Sequence, residues 1–480
     1  MKRITHYVLI AVMAANLAAC GGEAVSTVET TEAAAVSLTE PIDTIPVSPV
    51  EEKNYEGREF RVITHPYNGV EWTLHEVYSE GENGEILNDK IFERNLYLQE
   101  KYDINIVVTN KTNFLDEVQQ TVLAQDDAYD LALPGLDKAF TWSASGYLTE
   151  VSDIQHLNLD QPWWNQSILT DTSINNKNYI LLGSHNLLAY DSVGVLFFNK
   201  GLLDKYNIEA PYEAVHDGKW TFDNMIALCL DVSTDLDGNN LFDEKDAYGL
   251  GINSYGALTF SYGAGASFTE KDKDDLPYFK LDEKFVAFFQ KFVTAINEGN
   301  AVMYGEDYGT NRITYIKNAF EEGRMLFYNE MFNRTSMLRE MEMDFGLVPM
   351  PKADELQDGY RNFIHQSNSS VTCIPATVTD YDFVGRILED MAYYSHYHVY
   401  PAYIDTAIKS KYLRDEESAE MADIILNSIV FDFALTTSSP IIGQLRTMLT
   451  NNDTNIASTF ASIKDSCEAK LAVAVEGYLD

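Results

Sequence analysis

Arg58-Glu59-Phe60-Arg61-Val62-Ile63-Thr64 alternates apolar and polar side chains, the period of a half-buried strand. After it, Ile91, Leu98 and Tyr102 share one face of a helix, and Ile104-Asn105-Ile106-Val107-Val108 reads as a second strand. Leu115, Val118 and Val122 mark a second helix at i, i+3, i+7. Tyr129-Asp130-Leu131-Ala132-Leu133-Pro134 closes the series as a buried strand ending in a turn. Strands alternating with helices predict an α/β lobe built on a mostly parallel sheet. Ligands of such sheets sit beyond the carboxyl ends of the strands, so the loops after Ile63 and Leu133 are candidate site walls.

At the N-terminus, Lys2 and Arg3 precede an uncharged, largely apolar run from Tyr7 to Ala15. That run is too short to span a bilayer as a mature helix and reads as a secretory signal. It leads into Leu17-Ala18-Ala19-Cys20, which resembles the lipobox of bacterial lipoproteins. The resemblance implies that residues 1–19 are removed and that Cys20 carries lipid, tethering the protein outside the cytoplasmic membrane. The alternative is an ordinary secretory signal with Cys20 as a bystander. Residues 20–56 are rich in Thr, Ser, Ala, Glu, Val and Pro, without sustained helical periodicity. Such a segment cannot bury enough apolar surface to offset its ordering entropy, and it reads as a flexible tether.

The chain has 480 residues, 45% of them hydrophobic, enough for a large core split between two or more lobes. Its 74 acidic and 34 basic residues give a formal net charge of -40, which repels nucleic acid and anionic lipid. Besides Cys20 there are Cys229, Cys373 and Cys467, widely separated and without a C-x-x-C pair. They read as buried inert thiols rather than a disulfide scaffold or a zinc site.

Several further segments fall in a telling order. Tyr129-Asp130-Leu131-Ala132-Leu133 is followed by Gly146-Tyr147-Leu148-Thr149-Glu150-Val151, then by Asn178-Tyr179-Ile180-Leu181-Leu182 and Gly194-Val195-Leu196-Phe197-Phe198-Asn199-Lys200. Lys219-Trp220-Thr221-Phe222-Asp223, Phe320-Glu321-Glu322-Gly323-Arg324-Met325-Leu326 and Phe345-Gly346-Leu347-Val348-Pro349-Met350-Pro351 complete the set. Together they resemble the bacterial extracellular solute-binding proteins of family 1, the maltose-binding-protein-like components of ABC importers, although Phe198 stands where a Tyr is usual. The resemblance covers the chain from about Gly57 to its end. It implies a two-lobed α/β fold of the periplasmic-binding-protein type (type II), with lobes joined by hinge crossovers and a cleft that closes on ligand. The expected division of the solute-binding domain, 57–480, puts about 57–188 and 316–351 in lobe 1, and about 189–315 and 352–480 in lobe 2.

Asp235-Leu236-Asp237-Gly238-Asn239-Asn240-Leu241-Phe242-Asp243-Glu244-Lys245-Asp246 is the sharpest local motif. With Asp235 at loop position one, Asp237, Asn239, Asp243 and Asp246 place oxygen side chains as in an EF-hand, and Leu241 takes the backbone-carbonyl position. One structural calcium ion is the expectation. Asn240 in place of the usual Gly and Asp246 in place of Glu depart from the pattern, and the alternative is an acidic turn held by Asx hydrogen bonds.

Aromatic residues make up 12% of the chain, and sugars stack on aromatic rings while their hydroxyls need amides and carboxylates. The candidate ligand residues are Trp72, Asp137 and Trp142 in the first lobe, and Tyr190 and Asp191 at the inferred crossover. Tyr255 and Tyr262 follow in the second lobe, then Glu330 and Met331 with neighbouring Asn333, and Gln366 near the last crossing. Trp163, Trp164 and Trp220 read as core. No complete dinucleotide, phosphate-loop or G-x-S-x-G motif is present. The expectation is a monomeric, lipid-anchored, non-enzymatic carbohydrate-binding protein that delivers its ligand to an ABC permease. The alternatives are a surface glycosidase, needing two carboxylates about 5 to 9.5 Å apart, and a sensor or adhesin on the same fold.

Overall fold

A computed structural model describes residues 45–66, 76–336, 338, 341–404, 416–435 and 440–479. The signal segment, Cys20, most of the tether and Trp72 lie outside the described residues. No described helix is long and apolar enough to cross a membrane.

Strand β1 (Arg58–Thr64) lies between β2 (Ile104–Asn110) and β3 (Leu131–Leu133), parallel to both, with Arg58 opposite Ile104 and Val62 opposite Leu131. The helices Ile86–Tyr102 and Phe114–Leu123 are the crossovers that parallel pairing requires. The two-residue period of β1 splits its side chains between two cores. Phe60 and Val62 pack with Leu98, Leu131 and Leu133, and Ile63 packs with Phe114, Val118 and Ala132.

The second sheet is mixed. It comprises β4 (Gly194–Asn199) and β5 (Tyr248–Ile252) and, after a hairpin of β6 (Thr269–Lys271) and β7 (Pro277–Phe279), β8 (Val302–Tyr304), β9 (Met325–Met331) and β10 (Phe345–Val348). Its order is β10-β4-β9-β5-β8, with β4 antiparallel to β9 and β10 while β5 runs parallel to β8 and β9. The Trp220-Thr221-Phe222-Asp223 pattern is a helix start. The Thr221 hydroxyl accepts the Asn224 N–H at 3.4 Å and caps the helix Phe222–Val232.

Strand pairing corrects the expected lobe division. Residues 316–351 do not return to the first lobe, because β9 and β10 hydrogen-bond to β4 in the second sheet. It is the stretch after residue 364 that returns. Cys373 bridges Ala132, Thr372 bridges Leu181, Pro375 bridges Leu148, and Phe383, Ile387 and Met391 of the helix Tyr381–Tyr394 share a core with Phe60 and Val62. The two crossings run side by side, with Val193 bridged antiparallel to Ile364.

The tether also ends earlier than residue 56. Val50 is buried, its carbonyl accepts from Lys101 Nζ at 2.6 Å, and the Tyr55 ring meets Phe383 edge-on at 4.8 Å. These apolar and charged anchors give residues 48–56 the contacts that composition alone does not reveal. Finally, the helix Ile456–Leu479 spans both lobes. Phe460 stacks on Phe279 beside the second sheet, and at the other end Tyr478 meets Tyr179 edge-on at 5.0 Å in the first. Cys229, Cys373 and Cys467 are buried thiols, and Trp163, Trp164 and Trp220 are core residues.

Candidate functional site

A cavity of about 450 Å³ opens where the second sheet's strand ends meet the crossing. Tyr255 stands three residues past β5, and Glu330 and Met331 end β9. Gln366 lies two residues past the Ile364 bridge. All four line this cavity, together with Asn333. They sit beyond the carboxyl ends of parallel neighbours, where an open α/β sheet leaves a crevice.

Local bonding fixes the wall. The rings of Tyr255 and His365 stack with centroids 4.5 Å apart and planes 18° apart, and the Tyr255 hydroxyl donates to Gln366 Oε1 at 3.4 Å. His365 Nδ1 accepts the N–H groups of Ser367 and Asn368, both at 3.2 Å, so its proton sits on Nε2. Burial, with help from the Arg446 charge, pushes the His365 pKa down to about 4, and the ring is neutral at physiological pH. Arg446 Nη2 donates to Ser254 Oγ at 2.9 Å, and Arg334 Nε lies 3.6 Å from Glu330 Oε2.

The first lobe reaches the same wall through Asp137, which accepts from the Ser367 hydroxyl at 2.8 Å while its own N–H donates to the Gln366 carbonyl at 3.2 Å. Gly135 makes this approach possible. A Cβ there would lie 3.0 Å from the carbonyl oxygens of both Gln366 and Ser367.

Four other expected ligand residues lie elsewhere. Trp142 is 1% exposed, the seventh residue of the helix Leu136–Ala144, whose Leu136, Ala139, Phe140 and Ser143 are buried with it. Tyr262 lies in the helix Gly256–Gly263, buried along its whole length. It stacks on Phe363 at 5.1 Å, and its hydroxyl reaches Asp432 at 3.2 Å. Tyr190 packs edge-on against Tyr400 at 5.1 Å. Asp191 accepts the Tyr403 hydroxyl at 2.6 Å, and burial pushes its pKa up to about 6. These side chains hold the core and the crossing rather than facing the cavity. His365, Arg312, Arg334 and Arg446 were missed. His365 could have been found as the neighbour of Gln366, whereas the arginines carry no local signal.

In the acidic loop, Asp235, Asp237 and Asp246 bring carboxylate oxygens within 4.8 Å of one another, a group able to hold a cation, and Asp243 stands outside it. Asp235 accepts the N–H groups of Gly238 and Asn240, both at 2.7 Å, and Asp246 accepts those of Leu236 at 2.8 Å and Asp243 at 2.9 Å. Asn239 accepts the Leu241 N–H at 2.6 Å. Asn240 adopts the left-handed conformation, φ 64°, that the missing glycine would have supplied.

A larger groove of about 630 Å³, lined by Phe285, Phe288, Leu356 and Tyr360, draws only on residues 264–361 and gathers none of the expected ligand residues.

No protein-family profile matches the sequence, and no curated protein matches it. Solved structures do match in fold. The apo form of RafE from Streptococcus pneumoniae is 13% identical, over 88% of this chain and 97% of that one, with a TM-score of 0.55. A sugar transporter from Rhizobium etli in an open conformation is 11% identical, over 88% and 98%, with a TM-score of 0.55. The ABC substrate-binding protein Lmo0181 from Listeria monocytogenes, in complex with cycloalternan, is 11% identical, over 84% and 99%, with a TM-score of 0.51. The chain has the two-lobed α/β fold of these binding proteins.

Proposed function

We propose that this protein is the substrate-binding component of an ABC importer, capturing a carbohydrate at the Tyr255 cavity and passing it to a membrane permease. The observation that carries the reading is the convergence of Tyr255, Glu330, Met331 and Gln366 on one interlobe cavity. An aromatic face, a carboxylate and an amide are what a sugar ring and its hydroxyls require. The fold supports it, since structures that share it are described as binding cycloalternan or as transporting sugar. In this reading ligand contacts to both lobes select the closed form, and lipid on Cys20 keeps the protein at the membrane.

A glycosidase is disfavoured because Glu330 is the one carboxylate among the described residues lining the cavity, and such enzymes flank the bond with two. We also propose that Asp235, Asp237 and Asp246 hold one structural calcium ion, with Asn239, Asp243 and the Leu241 carbonyl as further oxygen donors. Calcium is then expected to raise the melting temperature, and Asp235→Ala with Asp237→Ala to abolish that response. An unchanged melting temperature across millimolar calcium would leave an acidic turn.

A thermal-shift screen of oligosaccharides tests the main reading. A ligand at 100 times its dissociation constant adds about 2.7 kcal/mol, and chromatography of the same mixtures is expected to show the saccharide intact. Cleavage products, or no shift with any saccharide, would contradict it.

A further inference from the structure

The cavity beside Tyr255 is basic in a protein that is strongly acidic. Against a formal net charge of -40, its charged lining consists of Arg312, Arg334 and Arg446 with a single carboxylate, Glu330. Three of the chain's twelve arginines therefore meet at one site. Glu330 is matched by Arg334 at 3.6 Å and Arg312 by Glu306 at 3.8 Å, which leaves the Arg446 guanidinium in excess.

Arg446 spends its Nε and Nη2 on a neutral partner, the Ser254 hydroxyl, at 3.2 and 2.9 Å, and it forms no ion pair with a described carboxylate. Its Nη1 hydrogens remain free to donate. Arg312 has Glu306 Oε1 at the long distance of 3.8 Å, while the other oxygen of Glu306 accepts the Ser254 N–H at 2.9 Å, so this pair is loose and the Arg312 guanidinium keeps donors for a further oxyanion. Arg312 also opens the helix Arg312–Glu321, whose positive end adds to the same side. The neighbouring His365 is neutral, so the excess charge is that of Arg446.

We infer, resting on the carbohydrate reading above, that the ligand is an anionic saccharide. Its carboxylate or sulfate is bound by Arg446 and Arg312, while a sugar ring packs at the Tyr255–His365 pair. A guanidinium fork held by a hydroxyl rather than a carboxylate is preorganised for an incoming oxyanion.

The test pairs acidic saccharides with neutral counterparts in thermal-shift and calorimetric titrations. Oligogalacturonates are set against galacto-oligosaccharides, and sulfated galactan oligomers against their desulfated forms. Binding is expected only on the acidic side, and the arm that binds identifies the anion. Arg446→Gln is expected to weaken it about tenfold or more, Arg446→Lys to restore part of the loss, and added salt to weaken the wild type. Equal binding of a neutral counterpart, unchanged by Arg446→Gln, would overturn this inference and leave the carbohydrate reading standing. Binding by neither set would overturn both.

Discussion

Past β3 the chain turns at Pro134 and Gly135 and enters the helix Leu136–Ala144; past β5 it turns through Asn253 and Ser254 and enters the helix Gly256–Gly263. Each lobe thus offers an aromatic residue beyond a strand end, with opposite fates. Trp142, two turns into its helix, is buried among the residues that bind the helix to the sheet. Tyr255, at the N-cap, precedes the first turn and lines the cavity. A side chain ahead of the helix looks along the strand direction into the crevice, whereas one inside the helix follows the helical period onto the core.

Breaking that contrast is expected to have its largest effect at Trp142. Trp142→Ala removes a fully buried indole and should destabilise the fold by about 3–5 kcal/mol in urea unfolding, with the affinity of the folded fraction unchanged. A stable Trp142→Ala protein with weakened ligand binding would put the tryptophan in the cleft.

Gly477→Ala comes next, because the C-terminal helix docks on this same Trp142 helix. A Cβ at Gly477 would lie 1.8 Å from the Ala144 carbonyl, so the helix end must move, at a cost of about 1–3 kcal/mol. Thermal unfolding measures it, and a wild-type melting temperature would mean the contact is dispensable.

Tyr255→Ala should do the converse of Trp142→Ala. Loss of about tenfold in saccharide affinity by calorimetry, roughly 1.4 kcal/mol, is expected with a near-wild-type melting temperature.

A pH effect is expected at the first lobe's buried Glu76. Burial pushes its pKa up to about 8, opposed by the Ser370 hydroxyl, which donates to it at 2.6 Å. Because the folded state holds this proton more tightly than the unfolded chain, the associated stability is present below about pH 4.5 and is lost as pH rises through about 8. Glu76→Gln should flatten that slope; an unaltered slope would assign it to other groups.

The first lobe's strands and crossovers were legible because each carries its own period, and β1 spans the residues whose alternation announced it. Gln366 is legible as chain near a crossing, whereas Glu330 and Met331 lie inside β9, at its carboxyl end. What sequence did not reveal was tertiary. Strand partners are not written in local sequence, so the division expected from the resemblance puts residues 316–351 in the first lobe, whereas β9 and β10 pair with β4. Arg446 and Ser254 meet across 192 residues, and nothing in the helix around Arg446 announces that contact. Trp142 lies nine residues past Leu133, but the helix Leu136–Ala144 intervenes and turns it onto the core.

Hydrogen–deuterium exchange with and without a saccharide that raises the melting temperature tests the central claim most directly. Protection is expected at residues 253–255, 330–334 and 365–368, the walls of the Tyr255 cavity. Protection confined instead to residues 282–291 and 353–361 would place the ligand in the larger groove of the second lobe and contradict the account.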